Sequence, residues 1–136
     1  MKLCGLLIGL LLLAHSAPAT AADQSICVPT SEITFHSNGK LKSCDLKNAY
    51  VVKGLSCKAN NKISFFADGR VSSCVLSKDF TIGKITCGNL GTIEFYGSGK
   101  LSSCTPTRDV AIDGKKCSAG QPVQLFENGR LKSCTK

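Results

Sequence analysis

Tryptophan is missing from this 136-residue chain, and no segment carries the 3.6-residue apolar period of an amphipathic helix. A helical fold is therefore excluded. The only long apolar run ends at Ala14, so nothing after it is long enough to span a bilayer as a helix. Successive cysteines stand 17 and 13 residues apart and lack the Cys-x₂₋₄-Cys knuckle of structural zinc sites, so no metal is expected. No nucleophile elbow, zinc-hydrolase helix or phosphate-binding glycine loop occurs. No catalytic or cofactor-binding residue is assigned, and no enzyme or cofactor is expected.

What is present begins with a leader. Lys2 precedes the apolar run, and small residues follow it in "HSAPATAAD". That is the pattern of a secretory signal peptide over residues 1–22, cleaved after Ala21 or Ala22. The remainder, 23–136, has the length of a single domain. It retains eight Cys, one His (His36) and sixteen Lys and Arg against nine Asp and Glu. An even cysteine count in an exported chain favours disulfides. The expected location is periplasmic or extracellular, with no transmembrane segment after cleavage. The positive balance suits an anionic envelope component or a protein partner, and export disfavours nucleic acid.

The cysteines expose a strict internal repeat. Cys27, Cys57, Cys87 and Cys117 form one series, and Cys44, Cys74, Cys104 and Cys134 the other, each stepping by 30. The units are 27–56, 57–86, 87–116 and a shorter 117–136. Each contains two strand-like runs, such as "EITF" and "KLKSC", around Asn-Gly, Asp-Gly or Ser-Gly, a strong hairpin signal. A three-residue loop (Ser37-Asn38-Gly39 in the first unit) sets Phe35 opposite Leu41 and collects the apolar residues on one face. That face holds Ile33, Phe35 and Leu41, then Ile63, Phe65 and Val71, then Ile93, Phe95 and Leu101, then Val123, Leu125 and Leu131. Register follows burial, so this loop is preferred, and Gly39, Gly69, Gly99 and Gly129 then take a positive φ. The connections 45–56, 75–86 and 105–116 each place Val52, Ile82 or Ile112 near a Gly, which reads as a second, shorter hairpin. The expected fold is an all-β meander of four stacked 30-residue hairpin repeats, disulfide-stapled, with each unit completing its core on its neighbour.

Eight Cys allow 105 pairings, which the repeat narrows to two regular schemes. One pairs cysteines within units (27–44, 57–74, 87–104, 117–134). The other pairs them between units (44–57, 74–87, 104–117). The last unit stops two residues after its second Cys, which favours the first scheme.

The three-residue loop also makes residues 36 and 40 neighbours on the face opposite the apolar stripe. The resulting ring-and-cation pairs are His36–Lys40, Phe66–Arg70, Tyr96–Lys100 and Phe126–Arg130, with Lys42 and Lys132 extending the charge. These eight residues are the candidate binding face for an anionic, saccharide-bearing ligand, or else a second apolar layer whose cations merely flank the turns. His36 has Phe66, Tyr96 and Phe126 as its equivalents, which argues against a catalytic histidine. Ser43, Ser73, Ser103 and Ser133 have no repeated His partner, and Asp45, Asp79, Glu94, Asp109 and Glu127 are scattered.

The segment "FHSNGKLKS" with its sisters resembles the hairpin core of MORN-type repeats, in the variant found in exported and antitoxin-like bacterial proteins. The resemblance covers about ten residues of each thirty-residue unit. Here the period is longer, two Cys are added per unit and the glycine before the first strand is irregular. The resemblance implies hairpin repeats used for protein or membrane-surface interaction and carries over no catalytic or ligand residue. The function expected is a non-enzymatic binding or scaffold module at the envelope or outside the cell. The alternative is a secreted cysteine-rich inhibitor or toxin-like effector working through 105–116, with its unique Pro106, or 118–122.

Overall fold

The computed structural model describes residues 22–136, so the expected leader lies outside the described residues except for Ala22. A short 3-10 turn, Gln24–Ile26, opens the chain, with the Asp23 carboxylate accepting from the Ser25 amide at 2.7 Å. Everything after it is strand and turn. The long hairpins are β1 (Thr34–Phe35) with β2 (Leu41–Asp45), β5 (Lys62–Phe65) with β6 (Val71–Val75), β9 (Thr92–Phe95) with β10 (Leu101–Cys104), and β13 (Val123–Leu125) with β14 (Leu131–Cys134). They join edge to edge into one eight-stranded antiparallel sheet in the order β1-β2-β5-β6-β9-β10-β13-β14. The short hairpins are β3 (Tyr50–Val52) with β4 (Leu55–Cys57), β7 (Phe80–Ile82) with β8 (Ile85–Cys87), and β11 (Val110–Ile112) with β12 (Lys115–Cys117). They form a second layer over one face of the sheet.

The expected loop forms in all four units. Phe35 pairs with Leu41, Phe65 with Val71, Phe95 with Leu101 and Leu125 with Leu131. The amide of residue 36, 66, 96 or 126 donates to the carbonyl four residues on at 2.8 Å, and the loop glycine's amide bonds back at 2.8–2.9 Å. Gly39, Gly69, Gly99 and Gly129 stand at φ 82°, 90°, 86° and 84°, where a side chain is disfavoured. The residue before each glycine is Asn, Asp or Ser for a second reason. The side chains of Asn38, Asp68 and Asn128 accept from the amides of Lys40, Arg70 and Arg130, each at 3.0 Å, locking the turn from within.

Beyond the loop each hairpin carries a bulge that the apolar alternation did not reveal. Ser64 pairs with Ser73 but Phe65 with Val71, which leaves Ser72 without a partner; the first and fourth hairpins shift identically at Lys42 and Lys132. In a regular strand, Val71 and Cys74 would face opposite sides. The extra residue brings both inward. An inner row then alternates Cys44, Ile63, Cys74 and Ile93 across paired strands, with Cys104, Val123 and Cys134 continuing it.

The disulfides are Cys27–Cys44, Cys57–Cys74, Cys87–Cys104 and Cys117–Cys134, each spanning 17 positions. Pairing is thus within units. In the last three units each bond runs from the end of a short hairpin to the second strand of a long one, joining the two layers through the core. Leu46, Leu76 and Pro106 fill equivalent buried slots beside Cys27, Cys57 and Cys87. Pro106 is therefore a packing residue rather than the tip of a variable loop.

Each short hairpin covers the long hairpin that follows it. Tyr50 meets Phe65 edge-on, with ring centroids 5.7 Å apart, and Leu55 and Ile85 are buried at the equivalent place. Phe35 was expected in the core with its sisters but is 48% exposed, because no short hairpin among the described residues precedes the first unit.

Opening the Cys57–Cys74 loop with Cys57→Ala and Cys74→Ala is expected to cost about 3 kcal/mol, the chain-entropy value for a loop of this length, read from urea unfolding. Four non-glycine residues take a positive φ: Lys53, Asn60, Leu90 and Asp113. Leu90 sits at φ 65° and is 67% exposed, where its sisters are Asn60 and Gly120. Leu90→Asn is expected to stabilise the fold by about 1 kcal/mol in the same assay, since leucine gains nothing from the left-handed conformation.

Candidate functional site

The short hairpins and disulfides occupy one face of the sheet. The other face carries the alternate residues of every strand. Its middle row runs unbroken through seven consecutive pairings, Thr34–Ser43–Ser64–Ser73–Glu94–Ser103–Gln124–Ser133. Within hairpins these residues bond across the strands. Thr34 and Ser43 hydroxyls lie 2.7 Å apart, Ser103 donates to Glu94 at 3.0 Å, and Ser133 donates to Gln124 at 3.2 Å. A row of hydroxyls, amide and carboxylate on an uncovered sheet face offers donors and acceptors at the interstrand spacing of about 4.8 Å.

Beside this row stand His36, Phe66, Tyr96 and Phe126, on the same face by parity. The structure divides their roles. Arg70 lies over the Phe66 ring at 5.7 Å, as the loop geometry led one to expect. In the fourth unit the cation over the Phe126 ring is Lys132, at 5.9 Å, while Arg130 turns 3.7 Å from the Asp113 carboxylate. The bulge explains the exchange, because it swings Lys132 toward the ring row. His36 and Tyr96 make a different contact. His36 Nε2 lies 2.8 Å from the Phe65 carbonyl, and the Tyr96 hydroxyl donates to the Leu125 carbonyl at 2.8 Å. Both partners belong to the next unit, 29 residues on. Lys40 and Lys100 are exposed beside these rings.

The turns are laced in the same direction. The Asn38 amide donates to the Ala67 carbonyl at 2.9 Å, and the Arg70 guanidinium donates to the Gly97 carbonyl. The ring-and-cation row therefore binds consecutive units together as well as facing outward. His36, Phe66 and Tyr96 are half-buried by that lacing, whereas Phe126, in the last unit, is 48% exposed.

Charge on this face is partly committed. The Arg70 guanidinium donates to Asp68, with its Nη2 2.7 Å from the carboxylate, and that bond, with the backbone bond to the same oxygens, holds the Asp68 carboxyl below its ordinary value. On the short-hairpin side the Lys116 ammonium lies 2.9 Å from Asp109, lowering the carboxyl and raising the amine. Lys42, Lys100 and Lys132 are exposed and outside the three ion pairs found among the described residues. The third and fourth units share a small polar cleft of about 170 Å³ on this face, lined by Glu94, Tyr96, Ser102, Gln124 and Lys132.

The eight Cys are all consumed in disulfides, and among the described residues no three His, Cys, Asp or Glu side chains gather as a metal-holding group. No described helix is long and apolar enough to cross a membrane. Four disulfides point to an oxidising setting outside the cytoplasm. Reasoning from the sequence missed the hydroxyl row and the part of Lys132. The signal for the first was available, since Ser precedes the second Cys in every unit and alternation turns it outward.

Replacing Tyr96 with Phe removes one interunit bond and little else. It is expected to lower the unfolding free energy by about 1 kcal/mol, measured in urea. No known protein family, curated protein or solved structure matches this chain.

Proposed function

We propose that this chain is an exported, non-enzymatic binding module, MORN-like in its hairpins, that presents the open face of its sheet to an anionic component of the envelope or cell exterior. One observation carries the reading: the molecule has two unlike sheet faces. One is covered by short hairpins and disulfides over the last three units. The other is a full-width polar row flanked by half-buried rings and by Lys42, Lys100 and Lys132, and nothing among the described residues covers it.

The chemistry is that of adhesion rather than reaction. Of the outward Ser hydroxyls, Ser43 bonds to Thr34, Ser103 to Glu94 and Ser133 to Gln124, and among the described residues no His is bonded to them. Cations with no carboxylate partner cost little to hold at a surface and gain most when an anion arrives, an effect that salt screens within about 10 Å at 0.1 M. Repetition adds a further advantage. A polymeric partner can engage several units at once, so weak contacts combine.

Immobilised, oxidised protein is expected to retain material from an envelope fraction at low salt and release it at high salt. Lys42→Glu with Lys100→Glu is expected to lower retention about tenfold, which corresponds to 1.4 kcal/mol. Nothing retained at low salt, or retention untouched by the double reversal, would overturn the reading.

A further inference from the structure

The repeat supplies its own control for finding residues that the fold does not require. Over the second unit, between the first and second short hairpins, lies an apolar cleft of about 250 Å³ lined by Tyr50, Leu55, Val71 and Phe80, with Lys53 and Arg70 at its rim. Sixty residues on, the same place in the fold is a cleft of about 500 Å³ between β12 and β14. There the position of Leu55 is taken by Lys115, that of Lys53 by Asp113, and that of Val71 by Leu131. Leu55 and Ile85 are buried at this position, whereas Lys115 is exposed. The chain has thus exchanged a packing residue for a cation at one unit of three.

The exchange is one of several that converge. Lys115, Lys116, Arg130, Lys132 and Lys136 all line the cleft, against a single acidic side chain, Asp113. Asp113 is already engaged, accepting from the Leu131 amide at 2.8 Å with Arg130 at 3.7 Å. Lys116 is held by Asp109 at 2.9 Å. Lys115, Lys132 and Lys136 stand outside every ion pair among the described residues. Like charges gathered around one cleft repel, which works against the fold unless an anion relieves them. Local rules are broken chiefly at functional or strained sites, and Lys115, unlike Leu90, breaks one among a cluster of like charges.

We infer that the cleft between β12 and β14 binds an acidic polysaccharide, a polymer whose acid groups recur along a hydroxyl-rich chain. The lysines, as mobile point charges, suit acid groups at irregular spacing better than a fixed fork would. The rest of the surroundings suits sugar. Ser133 borders the cleft, its hydroxyl donating to Gln124 at 3.2 Å, and Lys132 leads over the rim to the half-exposed ring of Phe126, 5.9 Å away. A sugar ring can rest on such an aromatic face while its neighbour's carboxylate meets the lysines. The site lies at the β14 edge of the sheet, where the last short hairpin meets it. It stands whether or not the open sheet face has a partner of its own, although Lys132 reaches both.

Titration of the oxidised protein with a soluble polyuronate tests this, beside a neutral polysaccharide of matched length and a polyglutamate of matched charge. The triple variant Lys115→Ile, Lys132→Ser and Lys136→Gln is expected to weaken polyuronate binding at least about tenfold, the factor that 1.4 kcal/mol represents. A control triple, Lys47→Gln, Lys58→Gln and Lys78→Gln, removes the same charge elsewhere and is expected to leave binding within about twofold, since distant exposed charges are screened. Lys115→Ile alone, which restores the sister residue type, is expected to raise the urea midpoint while weakening binding; a purely structural lysine would move both in one direction. Equal losses in the two triples, no polyuronate binding, or equally tight neutral polymer would overturn the inference. Polyglutamate bound as tightly as polyuronate would overturn the saccharide assignment.

Discussion

Four disulfides, three of them crossing between two thin layers, are the contact on which everything else here depends. A sheet of two-stranded hairpins with strands of two to five residues buries little apolar surface per residue, and short scaffolds of this kind need covalent staples. Each bond closes its loop at the core rather than at the surface. Seven of the eight half-cystines are among the buried residues, with isoleucine or valine between them along the inner row. The sulfur is therefore both staple and filling. That arrangement requires the second cysteine of each unit to point inward at a position where a regular strand would turn it out, and the bulge answers the requirement.

From that bulge follow the properties of the open face. It keeps leucine or valine and cysteine, three residues apart, on the same side, and it frees the residue between to swing outward. Where that residue is lysine, as at 42 and 132, it carries charge onto the open face; where it is serine, as at 72 and 102, it does not. The lacing between units then sets how rigidly the face is held. His36, Asn38, Arg70 and Tyr96 each reach a backbone carbonyl of the next unit. The polar row is presented by a frame fastened covalently through the layers and by hydrogen bonds along the repeat.

The departures from periodicity are as informative as the periodicity. Phe35 lies half in water, with no short hairpin before it among the described residues, and Leu90 holds a backbone conformation better suited to its sisters Asn60 and Gly120. Lys115 stands where leucine and isoleucine are buried. The first follows from position in the array. The second is a local strain for which the surrounding structure supplies no contact that explains it. The third, with its neighbours, turns an apolar cleft into a basic one.

The hairpins, their three-residue loops and the four turn glycines were legible in the sequence. Period-two alternation and the demand for positive φ are local, and four copies repeat the message. The within-unit pairing of cysteines was one of two schemes that spacing alone left open, and only the layered packing decides between them. The bulge was hidden because it lies between residues whose types do not change when one drops out of register. For the same reason loop geometry paired Phe126 with Arg130, whereas the folded chain places Lys132 over the ring and Arg130 beside Asp113. Residue type and spacing determine which elements form and which side is apolar. Which cation meets which ring, which face stays open and which lysines share a cleft depend on where the second layer lies, and that is decided by contacts between residues far apart in the chain.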